Sequence, residues 1–149
     1  LKVRQRATEV GLQLDVLWHD DDLYDVRVSA WNGAFGGVAE VYVEIGGLEE
    51  VAEKLSGFPR SPADVREIVF GAFGRECAGG AASMRFYCMD QAGHAYVESR
   101  IESDVESAGV VQYAIISMPI EAAAIDSFVS DLRRLERGRS GTAVLKSHG

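Results

Sequence analysis

Apolar and polar residues alternate with period two through the first third of the chain, the pattern of strands buried on one side. Val10 to Trp18 is a predicted strand, with Val10, Leu12, Leu14 and Val16 on one face and Gln13 and Asp15 on the other. The polar run His19-Asp20-Asp21-Asp22 makes a turn, and Leu23 to Trp31 is a second strand, with Val26, Val28 and Ala30 opposite Arg27 and Ser29. Asn32-Gly33 opens a glycine-rich turn that ends at Gly37. Val38 to Ile45 follows as a third strand, Val41, Val43 and Ile45 inward and Glu40, Tyr42 and Glu44 outward.

The period then changes. Leu48, Val51, Ala52 and Leu55 form a helical stripe, with Glu49 and Glu50 in the first turn where the helix dipole favours negative charge. Gly57 is placed to take the left-handed position after it, and Pro59 and Pro62 forbid its continuation. A second block repeats the plan: Arg66 to Phe73, Ala82 to Met89, His94 to Ser103 and Val110 to Met118 read as strands. Ile125, Phe128, Val129, Leu132 and Leu135 mark a longer helix, with Pro119 suited to its first position and Gly138 to its close. The expected fold is α+β, one antiparallel sheet of about six to seven strands with two helices on one face, built as two strand-rich units each ending in a helix. Residues 1–138 are assigned to one domain, and 139–149, without a clear period, to a fraying tail.

A length of 149 residues suits one domain, and no apolar run is long enough to span a bilayer as a helix. Leu1 to Arg6 lacks the apolar stretch of a secretory signal, so this segment is not expected to act as one. The two cysteines, Cys77 and Cys88, make no disulfide framework and no C-x-x-C pair, and read as buried free thiols. Charge changes the picture more. The net charge is −8, and between Asp15 and Glu53 ten carboxylates face a single cation, Arg27. Such a segment repels nucleic-acid phosphate and anionic membranes and favours a basic partner.

The chemical motifs are sparse. G-x-S-x-G, G-x-G-x-x-G and the Walker A loop are absent. His19-Asp20-Asp21-Asp22 with Asp25 lacks the alternate spacing of a calcium loop and reads as a solvated turn, so no metal or other cofactor is expected. His94, Tyr96, Glu98, Arg100 and Glu102 fall on one strand face. A His, Tyr and Glu row supports acid–base chemistry in principle, and a small-molecule-binding or enzymatic domain using His94, Tyr96 and Glu98 is the alternative function. A homodimer joined through an exposed strand edge is a third reading.

The order of motifs carries a family resemblance. Trp31-Asn32-Gly33-Ala34-Phe35-Gly36-Gly37 leads into a strand and then Leu48 … Leu55-x-Gly57-Phe58-Pro59, followed by Gly93-His94-Ala95-Tyr96-Val97-Glu98-Ser99-Arg100-Ile101 and a helix with Ile125-Asp126-x-Phe128-Val129-x-x-Leu132. From about Val10 to Leu135 the chain resembles small bacterial proteins of the WapI-like kind, some of them grouped with immunity proteins of polymorphic-toxin systems. The resemblance implies a cytoplasmic protein that binds and silences a toxin without cofactor or catalysis; it carries over no site residues. An acidic surface can steer and occlude a basic toxin cleft. The expected partner is a basic protein such as a toxin domain, met by Asp20, Asp21, Asp22, Asp25, Trp31, Phe35, Glu40 and Glu44.

Overall fold

The computed structural model describes residues 9–73, 80–103 and 109–148. Its first hairpin follows from the turn chemistry. The Asp20 carboxylate accepts the N–H groups of Asp22 and Leu23, both at 2.8 Å, and closes the reversal between β1 (Gly11–His19) and β2 (Leu23–Trp31). At the far end Asn32 Oδ1 accepts from Ala34 and Phe35, and Gly33 takes a φ of 99°. That turn returns the chain as β3 (Gly36–Glu44). Then come α1 (Gly47–Leu55), β4 (Arg66–Phe70), β5 (Ala81–Cys88), β6 (Ala95–Glu102), β7 (Tyr113–Ile120), α2 (Ala122–Gly138) and β8 (Gly141–Lys146). Gly57 takes the left-handed conformation beyond α1, at φ 78°.

The fold is α+β, but the expected single sheet is two. One antiparallel sheet has the order β3-β2-β1-β8, the other β4-β5-β6-β7. The strand after each helix joins the sheet of the other unit: β4 pairs with β5, and β8 pairs with β1. Area explains why helices on one face cannot suffice. A nine-residue helix is only about 14 Å long, whereas seven strands at roughly 4.8 Å spacing span about 30 Å. The apolar face of each sheet is covered by the other sheet as well as by the helices. Thus β3 crosses the second sheet, with Gly37 lying against Ile101 and Ala114, and Gly80 donating to the Glu40 carbonyl at 3.2 Å.

One core results, taking in Leu12, Leu14, Val26, Val28 and Val41 from the first sheet and Met84, Phe86, Val97, Ile116 and Met118 from the second. Leu48 and Leu55 of α1 and Ile125, Phe128 and Leu132 of α2 complete it. Each such side chain contributes about 1.5–3 kcal/mol on leaving water.

Three expectations need correction. Residues 141–146, assigned to a fraying tail, form β8, with Ala143 and Leu145 fully buried. The alternation that drives this, Thr142, Val144 and Lys146 against Ala143 and Leu145, is short enough to pass for noise. Pro119 does not open α2. It sits inside β7 opposite Tyr96, where the N–H it lacks would point away from β6, and α2 begins after Glu121. Gly138 is the last helical residue, and Arg139 takes the left-handed position instead (φ 55°), its N–H bonded to the Leu135 carbonyl at 2.6 Å. Cys77, Asp104 and Ser107 lie outside the described residues. Among the described residues no helix is long and apolar enough to cross a membrane.

Candidate functional site

The outward face of the first sheet gathers most of the acidic segment. Ile45 N–H bonds the Asp22 carbonyl at one end of the β2–β3 pair and Asn32 N–H bonds Phe35 O at the other. Between these ends bonded pairs alternate with open ones, so Leu23–Glu44, Asp25–Tyr42 and Arg27–Glu40 are open pairs whose side chains stand close together on the outer face. On the other side of β2, Asp15 faces Arg27 and Trp18 faces Asp25. A bulge between Val16 and Trp18 puts Trp18 in this row.

The face is therefore aromatic as well as acidic: Trp18 is 54% exposed and Tyr42 57%, and Leu17 and Val38 are exposed beside them. Its single arginine is outnumbered. Arg27 stands between Asp15 and Glu40, and its buried Nε has no hydrogen-bond partner among the described residues. Burial first, and then the charge of Glu40, raise the carboxyl of Asp25 above its ordinary value, with Arg27 opposing.

The predicted residues divide by what already holds them. Asp20 belongs to the turn, and its two backbone hydrogen bonds hold its carboxyl below the usual range. Asp21 and Asp22 are exposed beside it. Asp15 accepts from Gln13 and Thr142, and Glu49 pairs with Arg133 at 3.2 Å. By contrast the side chains of Asp21, Asp22, Asp25, Glu40 and Glu44 make no hydrogen bond or ion pair among the described residues. Trp31 lies half-buried at the opposite end of the face, its ring covering Gly36. Phe35, 68% exposed, projects from the β2–β3 turn, which Asn32 Nδ2 ties to the Ser117 carbonyl. The structure thus brings Asp25, Glu40 and Glu44 together and leaves Trp31 four residue pairs beyond Glu40, with Phe35 in the turn after it. Sequence reasoning left Tyr42 out of the site; its period-two phase with Glu40 and Glu44 was the signal that placed it there.

The alternative site is split. His94 Nδ1 lies 2.6 Å from Asp90, which holds that carboxyl low, and His94 and Tyr96 line a cleft of about 300 Å³ with Pro119, Glu121 and His148. Glu98 is not part of its wall; it sits further along the strand, opposite Arg85 and Ser117. Cys88 is a half-buried free thiol, pushed up by burial and then by Asp64 and Asp90. Among the described residues no three His, Cys, Asp or Glu side chains come close enough to hold a metal ion. Comparison with protein-family models, curated proteins and solved structures finds no match to the chain.

Proposed function

We propose that this chain is a protein-binding domain whose first-sheet outer face engages a basic partner. One observation carries the reading: Trp18 and Tyr42 stand exposed among Asp25, Glu40 and Glu44, whose carboxylates have no partner among the described residues. Exposed aromatics supply contact area at low entropic cost, and surplus charge of one sign supplies steering. The WapI-like resemblance implies a toxin with a cationic cleft as that partner, in the cytoplasm, with the chain acting as its inhibitor.

The test is capture from native lysate with three forms of the chain: wild type, E40K/E44K and W18A/Y42A. Proteins retained by wild type at low salt, lost with both variants and released by raised salt are expected to be basic. Retention of the same proteins by all three forms would discard this face.

A second reading rests on the Asp90–His94 pair beside its cleft. A carboxylate on Nδ1 leaves Nε2 free to accept a proton or hold a ligand. It predicts that a small molecule shifts the His94 and Tyr96 ring resonances and leaves those of Trp18 unmoved. The sheet face ranks first because the cleft does not assemble the His94, Tyr96 and Glu98 row on which the catalytic reading depended.

A further inference from the structure

An antiparallel sheet leaves backbone groups unpaired along its edges, and this fold closes its edges unequally. On β8, Val144 N–H is taken by Asp131 at 3.1 Å and the Thr142 carbonyl by Arg134 at 3.3 Å. On β7, the outward positions include Pro119, which has no N–H, and the carbonyls of Ser117 and Pro119 accept from Asn32 and Ser147. The β3 edge is different. The alternation that places Glu40, Tyr42 and Glu44 in open pairs with β2 turns their backbone groups away from the sheet. Only the Glu40 carbonyl is taken, by Gly80; Tyr42 and Glu44 have no backbone partner on that side among the described residues.

This open stretch borders a groove of about 190 Å³. Its walls are β3 on one side and Ile68, Val69 and Phe70 of β4 on the other, with Glu50, Val51 and Lys54 of α1 across its end. Val43, Val51, Ile68 and Phe70 form a largely buried apolar floor, and Glu44, Glu50 and Lys54 stand exposed at its polar rim. A strand laid against β3 would send alternate side chains to opposite sides. One set would meet Glu40 and Glu44 on the outer face, and the other would turn toward the floor of the groove.

We propose, on the basis of the acidic-face reading above, that an extended segment of the partner, alternating basic and aliphatic residues, adds as a fifth strand to β3 at Tyr42–Glu44. Main-chain bonds to Tyr42 and Glu44 give the affinity, and the alternation of Lys or Arg with Val or Ile gives the specificity. Charge complementarity selects this occupant. A second copy of the chain would set its own Glu40 and Glu44 against these, which costs rather than gains.

The experiment uses the full chain and a fluorescein-labelled hexapeptide of alternating lysine and valine, followed by anisotropy. Its comparators are the glutamate–valine peptide and two lysine–valine peptides N-methylated either at every lysine or at every valine. Each methylated peptide has one backbone edge blocked, and only one edge can face β3. The lysine–valine peptide is expected to bind and the glutamate–valine peptide not to bind. One methylated form should lose about tenfold or more, the effect of two lost hydrogen bonds, and the other should bind like the parent. Tyr42→Pro removes an outward N–H at an edge position of the kind Pro119 occupies in β7, and should weaken the parent peptide similarly while keeping the wild-type circular dichroism. If both methylated forms bind as the parent does, strand addition is wrong and the acidic face stands. If the parent peptide fails to bind, or the glutamate–valine peptide binds equally, both readings fall.

Discussion

The outer faces of the two sheets are built on the same plan of four antiparallel strands, and they treat charge in opposite ways. On the second sheet every described cation is matched within the face. Arg85 lies between Glu67 and Glu98 in one cross-strand row and stacks over the Tyr87 ring at 4.9 Å. Arg100 lies over Phe73 and Tyr113, at 4.8 and 5.3 Å. On the first sheet Arg27 stands between Asp15 and Glu40 with Asp25 close by, so anions outnumber cations, and no cation lies over Trp18 or Tyr42 among the described residues. A face that satisfies its own charges gains little from a charged partner, whereas a surplus of one sign is relieved by the opposite sign. The contrast is the physical basis for assigning the interaction to the first sheet.

Beneath these different faces lies a shared core, and the largest expected effect tests that sharing. Phe128→Ala should cost about 3–5 kcal/mol, because Phe128 is fully buried in the core that both sheets line. Urea unfolding followed by both tryptophan fluorescence, reporting the first sheet, and far-ultraviolet dichroism should give one coincident transition. Two separate transitions would mean that the faces belong to independently folding halves.

The inner faces differ as well. Tyr24 of the first sheet donates from its buried hydroxyl to the Glu136 carboxylate, and burial together with that contact raises its pKa far above the ordinary tyrosine value. Ser99 of the second sheet is fully buried, and its Oγ has no partner among the described residues. Tyr24→Phe is expected to cost about 1.5–3 kcal/mol, the range for a hydrogen bond to a charged group. Ser99→Ala should change stability by less than about 1 kcal/mol, and in the stabilising direction. Equal losses in chemical denaturation would erase the distinction between a satisfied and an orphaned polar group.

The smallest effect concerns the acidic face alone. Burial and Glu40 raise the Asp25 carboxyl above 3.8, so its charged form is less comfortable folded than unfolded. Asp25→Asn should then raise the melting temperature at neutral pH by about 1–2 °C. With the folded pKa the higher one, the penalty on wild type is fully present above it. The penalty shrinks as pH falls through that value, and is gone below the ordinary aspartate range, where Asp25 is protonated in both states. The advantage of the variant should vanish there too. An advantage that persists into acid would place the cause in packing rather than charge.

Much of this was written locally in the chain. Alternation of Leu12, Leu14, Val26, Val28, Val41 and Val43 with polar neighbours set the strands and their buried sides. Leu48, Val51, Ala52 and Leu55 set α1, and Gly57 set its end. The phase that turned those residues inward also sent Asp25, Glu40, Tyr42 and Glu44 to one outer face, so the acidic surface followed from period two alone. What the sequence could not settle was which buried faces would meet. A strand carries no record of its distant neighbour, so the division into two sheets, the return of β8 to pair with β1, and the placing of Pro119 in a strand were decided when the apolar faces found cover. The bulge that turns Trp18 toward Asp25, and the bonds that cap parts of the β7 and β8 edges, arose in the same way. They depend on side chains such as Asp131 and Asn32 reaching across from elements remote in the sequence, a distance that local patterning does not encode.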